Sequence, residues 1–230
     1  MKSSSNLSIK SKLAFGVAFL SLITLFAACK KNDPVEIPVG EIKIRAVNTV
    51  LSSSPQDFYV NGAKKSMEPI AYAESTTYIT ATSGNNTVNF TNEGSTTVNA
   101  TGVENIPIDY HVTAFYYKAP DGSNRAAIIP DDMTAPAAGK AKVRFINLNS
   151  FLNNSIAIGI EGGASLIPSH AYGALSAYTS VDPGTKFTFL GIGMTTALSF
   201  DANLTAGKIY TIWIDGTSAT SLSAHAIMQN

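Results

Sequence analysis

From residue 41 onward apolar and polar positions alternate with a period of two. In "KIYTIWIDG" (Lys208–Gly216) Tyr210, Ile212 and Ile214 fall on one face, and Ile209, Thr211 and Trp213 on the other. That spacing belongs to a β-strand, whose successive side chains project to opposite sides. "KFTFLGIG", "TTALSF", "TVNFTN" and "SLSAHAIM" are further short runs of β type. Turn pairs punctuate them: Asn61-Gly62, Asp121-Gly122, Pro183-Gly184 and Asp215-Gly216. Short strands broken at this rhythm, with no helical period past the first 40 residues, predict an all-β chain of antiparallel β-sandwiches in an immunoglobulin-like layout, with about seven strands each.

The pattern occurs twice. "IKIRAVN" (Ile42–Asn48) matches "AKVRFIN" (Ala141–Asn147), which sets Arg45 over Arg144 and Asn48 over Asn147. Gly62 then lies over Gly162, Tyr72 over Tyr172, Tyr78 over Tyr178, Gly84 over Gly184 and Tyr110 over Tyr210. An offset of 99 to 100 residues over the whole span marks a tandem duplication. The resulting organisation is residues 1–28 as a signal peptide, 29–40 as a tether, 41–131 as the first sandwich, 132–139 as a Pro/Ala/Gly linker, and 140–230 as the second. The face carrying Tyr210, Ile212 and Ile214 is apolar in both copies and is expected to be core.

The strand ending in Arg-x-x-Asn, the x-Gly hairpin, the "AY-x-x-x-x-x-Y" segment and the late "TAGKIYTIWIDG" strand (Thr205–Gly216) resemble the domain of unknown function 4397. That resemblance implies tandem β-sandwich domains in bacterial lipoproteins and cell-envelope proteins, and it implies no activity.

The amino-terminal stretch has a different character. Lys2, Lys10 and Lys12 precede "LAFGVAFLSLITLFAA" (Leu13–Ala28), which is uncharged. As a helix it would reach about 24 Å, short of a membrane span. Ala27 and Ala28 lead into Cys29, the only cysteine of the chain. A basic start, an apolar run and small residues at the cut form a secretory signal. "LFAAC" resembles a bacterial lipobox, with Phe26 where leucine is usual. The resemblance implies cleavage before Cys29 and attachment of acyl chains, palmitate among them, to its thiol and new amine. Two or three chains hold a protein to a bilayer almost permanently, whereas one does so only marginally. Lys30 follows in place of aspartate, which implies delivery to the outer membrane, facing the periplasm or the cell surface.

Charge and chemistry narrow the function further. Without the three signal lysines the chain carries 13 basic against 16 acidic groups, a net of −3. No clustered basic face is present for a nucleic acid. His111, His170 and His225 stand in no metal-ligand spacing, and no phosphate loop, dinucleotide fingerprint or G-x-S-x-G elbow occurs. No cofactor, metal or catalytic residue is therefore assigned. The adjacent pair Asp131-Asp132 reads as a solvated turn at the linker. Arg45 and Arg144, at strand centres in both copies, read as internal ion bridges or strand-edge contacts. Trp213 admits three readings: a stacking platform for a sugar, a residue packed against the other domain, or one that completes the second sheet.

Together these point to a non-catalytic, outer-membrane-anchored lipoprotein serving as a binding or envelope-scaffold module. The expected partners are the membrane, through acyl chains on Cys29, and a glycan or envelope protein. A glycan-binding accessory of nutrient uptake and a surface-fibre component are the alternatives, the second because sandwich edges can exchange strands.

Overall fold

A computed structural model describes residues 38–152 and 154–230, and Val39–Asn230 form one compact unit. Cys29 and the signal segment lie outside the described residues, which contain no helix. The first copy contributes β1 (Glu41–Asn48), β2 (Gln56–Val60), β3 (Ala63–Lys64), β4 (Ile79–Thr82), β5 (Gly84–Asn92), β6 (Val98–Ile106), β7 (His111–Lys118) and β8 (Asn124–Asp131). The second contributes β9 (Ala141–Asn147), β10 (Ile156–Ile160), β11 (Ser165–His170), β12 (Thr179–Val181), β13 (Lys186–Gly191), β14 (Leu198–Asp201), β15 (Ile209–Gly216) and β16 (Leu222–Met228). Each copy thus has eight strands rather than seven. In the first, the extra strand is β3, the short return of the Asn61-Gly62 hairpin.

Both copies have the same topology. Sheets β4-β1-β7-β8 and β3-β2-β5-β6 form the first sandwich, and β12-β9-β15-β16 and β11-β10-β13-β14 the second. The hairpins are antiparallel, but β1 runs parallel to β7 and β9 parallel to β15. The first strand of each copy lies in the middle of its sheet, between one antiparallel and one parallel neighbour. At the β2–β3 turn Asn61 and Gly62 have φ of 50° and 80°, the paired left-handed conformations of the tight hairpin that Asn-Gly favours.

Period-two patterning fills each sandwich. Ile42, Ile44 and Ala46 meet Phe58, Val60, Val88, Phe90, Val112, Ala114 and Tyr116 in the first core. Val143, Phe145, Ile156, Ile158, Phe187, Phe189, Tyr210, Ile212 and Ile214 do so in the second. Phe90 lies 5.2 Å from the Phe58 ring and 5.3 Å from the Tyr116 ring, within the range where aromatic pairs add to plain burial.

Ladder register corrects one repeat assignment. Arg45 pairs with Thr113 and Arg144 with Thr211, so Thr113 and Phe115 are the counterparts of Thr211 and Trp213. The offset at this strand is 98, and Tyr110 is not the equivalent of Tyr210: it is 48% exposed, whereas Tyr210 is 5% exposed. His111 is therefore the counterpart of Ile209, not Thr211. A two-residue slip preserves which face a side chain occupies, whereas a one-residue slip would invert it. The face predicted as core is accordingly core in both copies, with Val112, Ala114 and Tyr116 in the first and Tyr210, Ile212 and Ile214 in the second.

Candidate functional site

The strands β1, β7, β9 and β15 are apolar on both faces because each serves two cores. Their second faces meet each other. Val47, Phe115, Ile146, Leu148, Trp213 and Ile227 form a third buried cluster drawn from both copies, with Ala73, Tyr117 and Ile129 packed against it. Val47 corresponds to Ile146, Phe115 to Trp213 and Ile129 to Ile227, by the shared ladder register. The same patch of each copy thus contacts the other, which makes the interface isologous, as in a two-fold dimer, but within one chain.

Trp213 sits at the centre of this cluster with 0% exposure, its ring stacked 4.9 Å from that of His225. A sugar platform needs a solvent-facing ring, so that reading of Trp213 is withdrawn. The residue is packed against the other domain.

One end of the interface is a closed polar network. The Asp131 carboxylate accepts from Arg144 Nη2, from Gln229 Nε2 at 2.6 Å, and from the hydroxyls of Tyr78 and Thr113, each at 2.6 Å. Arg144 also donates to Thr211 Oγ1 at 2.9 Å and to the Pro130 carbonyl at 2.6 Å. Arg45 makes the symmetry-related bond, to the Met228 carbonyl at 2.8 Å, and lies 4.4 Å above the Tyr78 ring. At the position equivalent to Asp131 the second copy has Gln229, whose amide is taken by Asp131, Thr211 and Tyr178, so among the described residues Arg45 has no carboxylate partner to match that of Arg144. Asp131 is therefore not part of a solvated turn, which corrects the sequence reading: the donors converging on it from both copies satisfy its charge without water. Its neighbour Asp132 is half exposed and holds Lys142 at 2.7 Å. The Lys142 hydrogen bond holds the Asp132 carboxyl down to about 2. Burial, reinforced by the Asp131 carboxylate, pushes the Tyr78 hydroxyl far above its ordinary range.

At the opposite end of the strands the interface opens. Tyr72 of the first copy donates to Asp215 Oδ2 at 2.9 Å, and its hydroxyl lies 2.9 Å from His225 Nε2. His225 Nε2 is 3.3 Å from Asp215 Oδ1. Burial and the Asp215 carboxylate raise the Tyr72 hydroxyl well above normal. Tyr172 makes the related reach from the second copy, to the Lys118 carbonyl at 2.9 Å. Beyond them lies a cleft of about 280 Å³, lined by Thr49–Ser52 and Lys118 of the first copy and by Leu148, Ser150, Phe151 and Asp215–Thr217 of the second. Phe151 is 54% exposed there. The counterparts across the pseudo-symmetry differ: Ser52 stands for Phe151, and Lys118 for Gly216. The cleft thus has one aromatic ring, one amine and several hydroxyls, with the Asp215 carboxylate buried behind them, an arrangement able to hold a small polar ligand with one apolar face. A larger cavity of about 410 Å³, between residues 65–70 and 74–79, belongs to the first copy alone.

The remaining sequence candidates are dispersed. His111 packs edge-on against Tyr78 at 5.1 Å, and His170 is buried, which lowers its pKa. Among the described residues no group of three or more His, Cys, Asp or Glu could hold a metal ion. The His225–Asp215 pair was not anticipated, and His225 does not line the cleft. Phe151 was also missed; its signal is a single aromatic inside the polar stretch "NLNSFLNNS".

No curated protein matches the chain. Among solved structures, the carbohydrate-binding module CBMbc (family CBM26) of Eubacterium rectale Amy13K, in complex with maltoheptaose, is similar at 12% identity and a TM-score of 0.28, over 80% of this chain and 96% of that one. Residues 42–154 match the family model described as Domain of unknown function (DUF4397), a stretch that runs from β1 through the interdomain ion pair and β9. Over that stretch the chain is similar to the DUF4397 family.

Proposed function

We propose that this chain is a non-catalytic binding lipoprotein, anchored in the outer membrane by acyl chains on Cys29, whose two sandwiches act as one rigid body and hold a small polar ligand in the cleft between them. The observation that carries the binding reading is the cleft itself, where Phe151, Lys118 and Asp215 converge from both copies. A non-catalytic role is supported by the state of the one His–carboxylate pair at this end: Asp215 is engaged by Tyr72, and His225 is stacked on Trp213. The anchor rests on the sequence, through the apolar run, "LFAAC" and Lys30.

The test is a screen of sugars, amino acids and short peptides against the chain from Lys30 onward, which retains the compact unit Val39–Asn230. Saturable binding lost in Phe151→Ala and weakened in Lys118→Ala supports the cleft. Binding unaffected by both variants, or no binding at all, refutes it. Separately, Cys29→Ser should release the full chain from the membrane fraction.

A second reading, a glycan-binding accessory of nutrient uptake, is favoured by the open Phe151 ring, which offers an apolar surface beside hydroxyl-bearing Ser52, Ser150 and Thr217.

A further inference from the structure

The outer face of the first copy's sheet β3-β2-β5-β6 is not used by the fold. Phe58, Val60, Val88 and Phe90 turn inward to the core, so Tyr59, Asn89 and their cross-strand neighbours turn outward. Ladder register puts four of them in one row: Lys64 opposite Tyr59, Tyr59 opposite Asn89, and Asn89 opposite Thr101. At about 4.8 Å between strands the row is about 14 Å long. Thr101 donates to Asn89 Oδ1 at 2.8 Å, which fixes the amide with its NH₂ group turned away from that bond. Lys64 is held by Asp57 at 2.7 Å, and the Asp57 side chain is almost fully buried. The row therefore carries no net charge. It presents an amine, an aromatic ring, an amide and a hydroxyl side by side.

The second copy has the same row with the chemistry removed. Ser165, Gly159, Thr188 and Ser199 occupy the four places. Gly159 replaces the tyrosine, and a Cβ built on it would come within 3.0 Å of Thr188 Oγ1, so no ring fits there without a shift. The duplicated scaffold alone does not require a tyrosine at this place.

We propose that this face of the first copy binds an uncharged polysaccharide laid across the strands, with the Tyr59 ring stacking on a sugar and Asn89, Thr101 and Lys64 bonding its hydroxyls. The occupant follows from complementarity: an acidic glycan would meet the compensated Lys64–Asp57 pair rather than a free cation. A protein partner would require a continuous apolar centre, and Val98 and Val103 on β6 are separated on this face by Thr101. This surface is independent of the interdomain cleft.

The test is affinity electrophoresis of the chain from Lys30 onward in gels containing soluble starch, xylan, mannan or polygalacturonate. Retardation by at least one of the three neutral polymers is expected. Tyr59→Ala and Asn89→Ala should each weaken it at least about tenfold, a typical loss for a central contact. Tyr59→Phe, which keeps the ring, should retain most of the binding, and Phe151→Ala should leave it unchanged, which separates this face from the cleft. Circular dichroism confirms that each variant is folded. Three results overturn the proposal: no retardation by any neutral polymer, retardation by polygalacturonate alone, or retardation unchanged in folded Tyr59→Ala.

Discussion

Replacing Asp131 by Asn changes one atom and removes the only carboxylate facing Arg144 in the interdomain network. Both side chains are out of water, at 2% exposure for Arg144 and 0% for Asp131, so solvent does not screen the loss. An uncompensated buried charge costs about 3–5 kcal/mol. The amide also turns an NH₂ toward one pair of the four donors, and each orphaned donor costs about 1–3 kcal/mol. These terms share the same atoms and do not add fully, which gives a net loss of about 4–5 kcal/mol. Against a typical total of about 5–15 kcal/mol this is a large fraction. With a urea slope near 2.5 kcal/mol/M, inside the ~1–3 range, the midpoint should fall by about 1.5–2 M. Asp131→Asn/Arg144→Met removes the stranded cation and should be more stable than the single variant by about 2 kcal/mol. Asp182→Asn, which breaks the exposed Lys140–Asp182 pair, should cost less than about 1 kcal/mol and serves as control. A midpoint for Asp131→Asn within about 0.5 M of the parent, or a double variant weaker than the single, would refute the reasoning.

Other consequences follow from the same geometry. Gly216→Ala places a Cβ 2.1 Å from the Ser221 carbonyl and 2.9 Å from Asn149 Nδ2, so the β15–β16 hairpin must shift, at about 1–3 kcal/mol, with loss of any ligand bound in the cleft. Tyr72 and Tyr78 are raised far above the usual phenol range by burial and a facing carboxylate, and burial pushes Tyr172 up to about 12. A raised folded pKa contributes stability that is complete below the unfolded value near 10 and is lost as pH rises through the folded value. Absorbance at 295 nm should accordingly show these tyrosines ionising late, together with unfolding. His170 is shifted the other way by burial. Its contribution is present above an unfolded value near 6.5 and is lost as pH falls toward the folded one, so the parent should lose more stability between pH 7 and 5 than His170→Gln does.

Much of the fold was legible because a strand declares itself locally. Alternation in "KIYTIWIDG", Asn61-Gly62 at a hairpin and Pro183-Gly184 before β13 are short-range signals. The duplication supplied a second reading of each face, which is why Tyr210, Ile212 and Ile214 were assigned to the core correctly. Register between distant strands is not local. The β5–β6 hairpin and its counterpart β13–β14 differ in length by one residue, and beyond them the offset is 98 rather than 99 or 100. The Asp131–Arg144 pair was hidden for a related reason: Asp131 stands beside a linker rich in turn formers, and only the partner copy makes it interior. Phe151 and Asp215 come together at the ends of different strands, on segments where the two copies diverge, so the repeat offered no guide to the cleft.

The central claim is that the two copies are sealed face to face around Trp213. Because it is the only tryptophan in the chain, its fluorescence reports this interface without labelling. Quenching by iodide and acrylamide in native buffer is the most direct measurement. A blue-shifted emission, close to inaccessible to iodide and becoming accessible only as the protein unfolds, is what sealed packing requires. Emission at the wavelength of a hydrated indole, freely quenched by iodide in the folded protein, would contradict it.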